Sequence, residues 1–296
     1  MKLVTFRLKS KNNPQNQRIG ILSGEGIVDL SAVEGAPPSM AACCALGADA
    51  KKHLEAWQVG APRLAAGDVE ILAPFPRPAR NIFCVGKNYH EHAKEFANSG
   101  FDATAKEIVP EAPVVFTKPP SSVIGPGMAV PGFLDPTASV DYEGELAVVI
   151  GEGGRGISIA AAMNHVFGYT IVNDVTSRHL QQKHRQWVLG KGIDGFCPMG
   201  PVVLTADEVP DPRALHLRTW VNGELRQNAT VADLIFDIPT LIATISSYIT
   251  LEPGDIIATG TPVGVGIGFT PPKFLGSGDV VRIEVAGIGV LENTIA

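Results

Sequence analysis

The chain has 296 residues, 45% of them hydrophobic and 18% charged, which is enough to bury the core of one large domain and a small one. Its net charge of −6 argues against a protein that tracks nucleic-acid phosphates, and no apolar stretch is long enough to be read as a membrane span. The 32 glycines and 23 prolines, with few long helical patterns, lean towards β structure. Cys43, Cys44, Cys84 and Cys197 show neither C-x-x-C spacing nor a histidine at zinc spacing, so they read as reduced thiols of a cytoplasmic protein.

In chain order, the start Met1–Lys9 is too short and too charged for a signal peptide and reads as a strand. Strands are predicted at Leu3–Leu8, Arg18–Leu22 and Gly26–Leu30, followed by an alanine-rich helical stretch from Ser39 to Trp57. Pro74, Pro76 and Pro78 alternate through residues 73–80, which can continue neither a helix nor a central strand and so read as a linker. That divides the chain into a small β-rich domain, 1–72, and a larger one, 81–296. Beyond the linker, strands are predicted at Asn81–Val85, Pro113–Thr117, Leu146–Gly151, Phe167–Asn173, Pro201–Leu204, His216–Val221, Asp255–Thr259 and Val280–Val285. Asn222-Gly223 between two strand-like runs signals a type I′ hairpin. Pro239–Ile249, with Leu241, Ile242, Ile245 and Ile249 at helical spacing, reads as an amphipathic helix. The fold class is α+β, mainly β: an antiparallel or mixed sheet body with helices laid on it.

Three acids stand out. Glu143 and Glu145 are two apart at the mouth of an apolar strand, so their side chains share a face. Asp174 ends another apolar strand. Nothing close in sequence to Glu143 and Glu145 supplies a compensating Lys or Arg, whereas a divalent cation would. Three carboxylates with no Cys or His suit Mg²⁺ or Mn²⁺; by residue type alone they equally fit solvated or turn-capping strand ends. His92 and Glu95 are three apart and on a helix could form a general-base dyad, or belong to a mixed-charge surface. Arg178 and Gln181, on a helix after Asp174, could hold a substrate carboxylate. Lys191 lies between glycines in an apolar loop, as a surface charge or as an oxyanion stabiliser. Gly264-Val265-Gly266-Ile267-Gly268 runs into Pro271-Pro272 and not into a helix, so it is no dinucleotide fingerprint.

Together these runs resemble the fumarylacetoacetate hydrolase superfamily from about Asn81 to the C-terminus. The match is carried by Gly86-Lys87-Asn88-Tyr89, Phe116-Thr117-Lys118-Pro119, Glu143-Gly144-Glu145-Leu146, Asn173–Arg178, Lys191–Pro198, Val221–Glu224, Leu251–Asp255 and Thr259–Gly266. Each run is weak alone, but their ordered sequence is specific. The resemblance implies a twisted mixed β-roll, usually a homodimer, with Glu143, Glu145 and Asp174 holding Mg²⁺ or Mn²⁺. It makes His92 and Glu95 the dyad that activates water and Lys191 the lysine that stabilises developing charge. Tyr89, Lys118, Arg178, Gln181 and Thr261 become substrate-contacting positions, and the segment from about Tyr89 to Glu111 a lid. Many relatives carry an acid after the arginine where this chain has His179, which bears on how the arginine is oriented.

The chemistry so implied is C–C bond cleavage of a small 2-oxo or 2,4-dioxo acid, such as an acylpyruvate, by way of an enolate. The same enolate arises in decarboxylation of an oxaloacetate-type acid and in isomerisation of an oxo-hexenedioate in aromatic catabolism. A shared site does not choose among them. Hydrolysis is placed first because the dyad can activate water. A non-catalytic 2-oxo acid binder is disfavoured, since a pure binder has no use for the dyad.

Overall fold

The computed structural model describes residues 1–10, 16–24, 26–101 and 108–296. The predicted body is borne out: it is mainly β, with a mixed sheet and few helices. The central antiparallel pair is Gly144–Ile150 against Val166–Asn173, running from Gly144 opposite Asn173 to Ile150 opposite Val166. Both strands are buried along their whole length. Leu146, Val148 and Ile150 enter one apolar core while Ala147 and Val149 enter another on the opposite face, which explains the unbroken apolar run. Cys197–Thr205 continues the sheet on one side. Ile256–Ala258 continues it on the other, followed by the parallel strand Ile82–Gly86.

The N-terminal residues extend the same sheet. Lys2–Leu8 pairs with Cys197–Thr205, with Leu3 opposite Val203, and Val4 and Phe6 share one core with Tyr169 and Ile171. Phe75 of the proline-rich run is buried in the other core. The alanine-rich stretch is two helices, Met40–Cys44 and Ala50–Gln58, interrupted at Gly47, whose φ of +61° leaves the helical region. No helix among the described residues is long and apolar enough to cross a membrane.

A second, four-stranded antiparallel sheet comprises His216–Val221, Glu224–Thr230, Val280–Val285 and Gly289–Thr294. Its hairpin turns at Asn222 and Gly223, with φ of +51° and +81° as type I′ requires. The last strand, half polar in sequence, carries no run that would have announced it. This sheet abuts the start of the central pair: the Gly144 N–H donates to Gln227 Oε1 at 3.0 Å. A Cβ on Gly144 would lie 2.3 Å from Thr219 Oγ1. The helix Ile238–Tyr248 is capped by Asp237, which accepts from the Thr240 N–H, and buries Leu241, Ile242 and Ile245 as predicted.

Gly144→Ala therefore forces the two sheets apart where Glu143 and Glu145 enter. Overpacking of this kind costs about 1–3 kcal/mol, and urea unfolding of the variant is expected to show a loss of that size with unchanged m-value.

Candidate active site

The pairing register brings the acids together. Gly144 lies opposite Asn173, so Glu143 and Glu145 at the beginning of one strand meet Asp174 just past the end of the other. The Asp174 N–H donates to the Glu143 carbonyl at 2.8 Å, and the Glu143 N–H donates to Asn173 Oδ1 at 3.0 Å. One carboxylate oxygen from each of Glu143, Glu145 and Asp174 lies within 4.8 Å of the others, and all three residues are buried.

The compensating basic groups do exist, and they come mostly from distant segments. Lys118 Nζ donates to Asp174 Oδ1 at 2.6 Å, and also to the backbone carbonyls of Val175 and Lys191. Lys191 Nζ bridges Glu143 and Asp174, at 2.7 Å to each. Arg178 Nη1 pairs with Glu143 at 2.7 Å, and its Nε donates to Asp141 at 2.8 Å. Among the described residues, Asp141, Glu143, Glu145 and Asp174 are thus paired with Lys118, Arg178 and Lys191, which leaves one acid in excess.

That excess falls on Glu145, whose Oε2 accepts the Gly260 N–H at 2.8 Å and which has no ion-pair partner among the described residues. Burial, then the charges of Asp174 and Glu143, push its carboxyl well above the usual range. Glu143 shows the opposite balance. Burial would raise it, but Lys191 and Arg178 outweigh that and lower it to about 2. Burial works against the charged form of Lys191 too, yet Asp174 and Glu143 raise its pKa. Three converging hard oxygens with an unbalanced carboxylate fit a divalent cation.

Next to the acids is a small cavity lined by Lys87, His92, Phe96, Glu143, Arg178, Gln181, Trp187, Lys191 and Thr261, among others. The predicted dyad is formed on the helix His90–Asn98: His92 Nδ1 lies 2.9 Å from Glu95 Oε2. A carboxylate beside Nδ1 favours the neutral tautomer with its proton on that nitrogen and its lone pair on Nε2. Phe96, Trp187 and Phe116 form an aromatic wall, with Lys191 Nζ 5.1 Å from the Phe116 ring centroid.

The other predicted contacts divide by position. Arg178 and Gln181 line the cavity and meet each other, Nη1 to Oε1 at 3.2 Å. Thr261 lines it and donates to the Gly144 carbonyl at 3.0 Å. Lys118, fully buried, sits behind Asp174 and not on the cavity wall, and Tyr89 is buried outside the lining. The predicted lid begins as the helix His90–Asn98, while residues 102–107 lie outside the described residues. Phe101 packs on His179 and Phe274, and Gln182 donates to the Gly100 carbonyl at 2.8 Å. Sequence reasoning passed over Asp141, the acid that holds Arg178. Its spacing of two from Glu143 repeats that of Glu143 from Glu145, and that alternation was the available signal.

Two outcomes are expected of this electrostatic arrangement. Glu145→Ala should abolish Mg²⁺ binding by calorimetry without unfolding the chain, because it removes a ligand and the uncompensated charge together. The metal-free native state also holds the Glu145 proton more tightly than the unfolded chain does. Its stability should therefore fall as pH rises, and Mg²⁺, which binds the deprotonated form, should raise Tm more at pH 8 than at pH 6. An equal rise at both pH values would contradict the assignment.

The chain is similar to several known proteins. The model of the fumarylacetoacetate hydrolase C-terminal family matches residues 81–296. The oxaloacetate tautomerase YisK of Bacillus subtilis is 47% identical over 291 residues, covering 93% of this chain and 94% of that protein. A fumarylacetoacetate hydrolase structure from Exiguobacterium antarcticum superposes with a TM-score of 0.83 at 41% identity, covering 100% of this chain and 99% of the other. The maleylpyruvate hydrolase of Sphingobium sp. SYK-6, solved with manganese(II) and pyruvate, gives 0.80 at 32% identity, again over 100% and 99% of the two chains. The chain is a member of the fumarylacetoacetate hydrolase family.

Proposed function

We propose that the chain is a divalent-metal-dependent tautomerase of a small 2-oxo acid, with oxaloacetate as the substrate. The observation that carries this reading is the likeness to the oxaloacetate tautomerase over nearly the whole of both chains. It moves away from the order taken from sequence, in which hydrolysis came first and oxaloacetate-type decarboxylation or oxo-hexenedioate isomerisation second.

The reaction moves one proton between the 2-hydroxyl oxygen of the enol and C3 of the keto form. Glu143, Glu145 and Asp174 would hold Mg²⁺ or Mn²⁺, which supplies positive charge at the carboxylate and 2-oxo end of the substrate. The chain's own residues do the rest. Glu95 fixes the His92 imidazole through Nδ1, leaving Nε2 to take up the proton or deliver it at C3. Lys191 faces the negative charge that develops on the oxygen in between, and Arg178, also on the cavity wall, faces the substrate's carboxylate. Phe96 and Trp187, with Phe116 packed on Trp187, put an apolar flank beside those groups, where charge interactions count for more than in water.

A second reading, hydrolysis of an acylpyruvate, is favoured by one feature: the same His92–Glu95 pair can deprotonate water in place of substrate. The two are separated by assaying oxaloacetate for loss of enol absorbance and acylpyruvates for pyruvate release, both with Mg²⁺. Tautomerisation well above the buffer rate, without pyruvate release, is the expected result; pyruvate release with no effect on oxaloacetate would overturn it. His92→Ala should lower kcat by about 10²–10⁴ while leaving calorimetric Mg²⁺ binding unchanged. A variant active at the parent rate would remove His92 from the chemistry.

A further inference from the structure

The glycine-rich run that is no nucleotide motif has a different use in this fold. The Gly264 N–H donates to Glu95 Oε1 at 2.9 Å. The Gly266 and Ile267 N–H groups donate to the two oxygens of Asp141, at 2.7 and 3.1 Å. Asp141 is fully buried and takes the Arg178 Nε at 2.8 Å. One loop therefore grips two carboxylates, and each carboxylate orients a different site group, His92 in one case and Arg178 in the other.

Close approaches fix the glycines of the run: Gly264 has a φ of +108° and a Cβ there would stand 1.9 Å from the Arg226 carbonyl oxygen, and one on Gly266 would stand 2.4 Å from that of Lys273. A Cβ on Gly268 would stand 1.9 Å from Glu95 Oε1, and one on Gly266 2.6 Å from Asp141 Oδ1. Val265 and Ile267, between them, are buried against Phe96 of the dyad helix and anchor the loop. The guanidinium of Arg178 is saturated on two sides, by Asp141 at Nε and by Glu143 and Gln181 at Nη1. Its Nη2, also buried, has no hydrogen-bond partner among the described residues. A buried guanidinium nitrogen without a partner is costly, and here it belongs to a residue on the cavity wall.

We infer that the Gly264–Gly268 loop is a double clamp and that Asp141 is a positioning residue. Through the loop, Asp141 holds Arg178 so that Nη2 is offered to a carboxylate of the bound acid, while the other end of the loop aims the dyad. The inference deepens the 2-oxo acid reading and rests on it for the ligand class. It also supplies what His179 does not: the acid that fixes the arginine comes from the segment before Glu143.

Because the arms are separate, they fail separately. The test uses the full chain with Mg²⁺, oxalate binding by calorimetry, and the ¹⁵N-histidine NMR signal of the His92 Nδ1–H, identified by its absence in His92→Asn. Asp141→Asn keeps the shape but loses the charge. It should weaken oxalate binding tenfold or more, leave Mg²⁺ binding alone, and keep the His92 signal. Gly268→Ala should shift or abolish the His92 signal and lower kcat with little change in oxalate affinity. The same response in both variants, or an unchanged oxalate affinity in Asp141→Asn, would overturn the clamp, and this second criterion stands even if Gly268→Ala does not fold. If the unaltered protein bound no oxalate, the 2-oxo acid reading and the arginine arm would fall together. The His92 signal in Gly268→Ala would still decide the dyad arm.

Discussion

Among the described residues, four buried carboxylates are paired with three basic groups where the two central strands meet the second sheet, and much of the site's architecture answers to that imbalance. Charge taken out of water is tolerated only when paired and hydrogen-bonded. Lys118, Arg178 and Lys191 and the backbone N–H groups of Gly260, Gly266 and Ile267 all converge on these acids. Even so, Glu145 has no ion-pair partner among the described residues. Three buried carboxylates with oxygens this close together could hold a positive ion.

This arrangement relates the parts of the site. Lys191 bridges Glu143 and Asp174, so a cation entering between them competes with its ammonium group for the same oxygens. Arg178 is tied through Asp141 to the loop that also fixes Glu95. The acid cluster, the His92–Glu95 pair and Arg178 thus share a few strand ends and one glycine loop. Rigid support of this kind is what a reaction needs when its transition state is stabilised by fixed charges.

Much of this was legible in the sequence, because it is local. The spacing of Glu143 and Glu145, the strand that ends at Asp174, the three-residue step from His92 to Glu95 and the Asn222-Gly223 turn are each written within a few residues. What was hidden depends on long-range pairing. Lys118 and Lys191 are remote in sequence from Glu143 and Glu145 and reach the cluster only once the sheet is registered, so the charge they supply was assigned to the metal alone. Asp141 drew no reading, because its partner Arg178 lies 37 residues further along the chain. The glycine run was legible as unusual, but its purpose lies in two carboxylates from other segments.

The central claim is that Glu143, Glu145 and Asp174 receive a cation that displaces Lys191. A crystal structure grown with Mn²⁺ and oxalate, with anomalous data at the manganese edge, tests it most directly. The expected result is a single anomalous peak bounded by those three carboxylates, with Lys191 Nζ moved off Glu143 or Asp174 and turned to the ligand. Anomalous density elsewhere, or Lys191 still bridging the two acids around an empty triad, would contradict it.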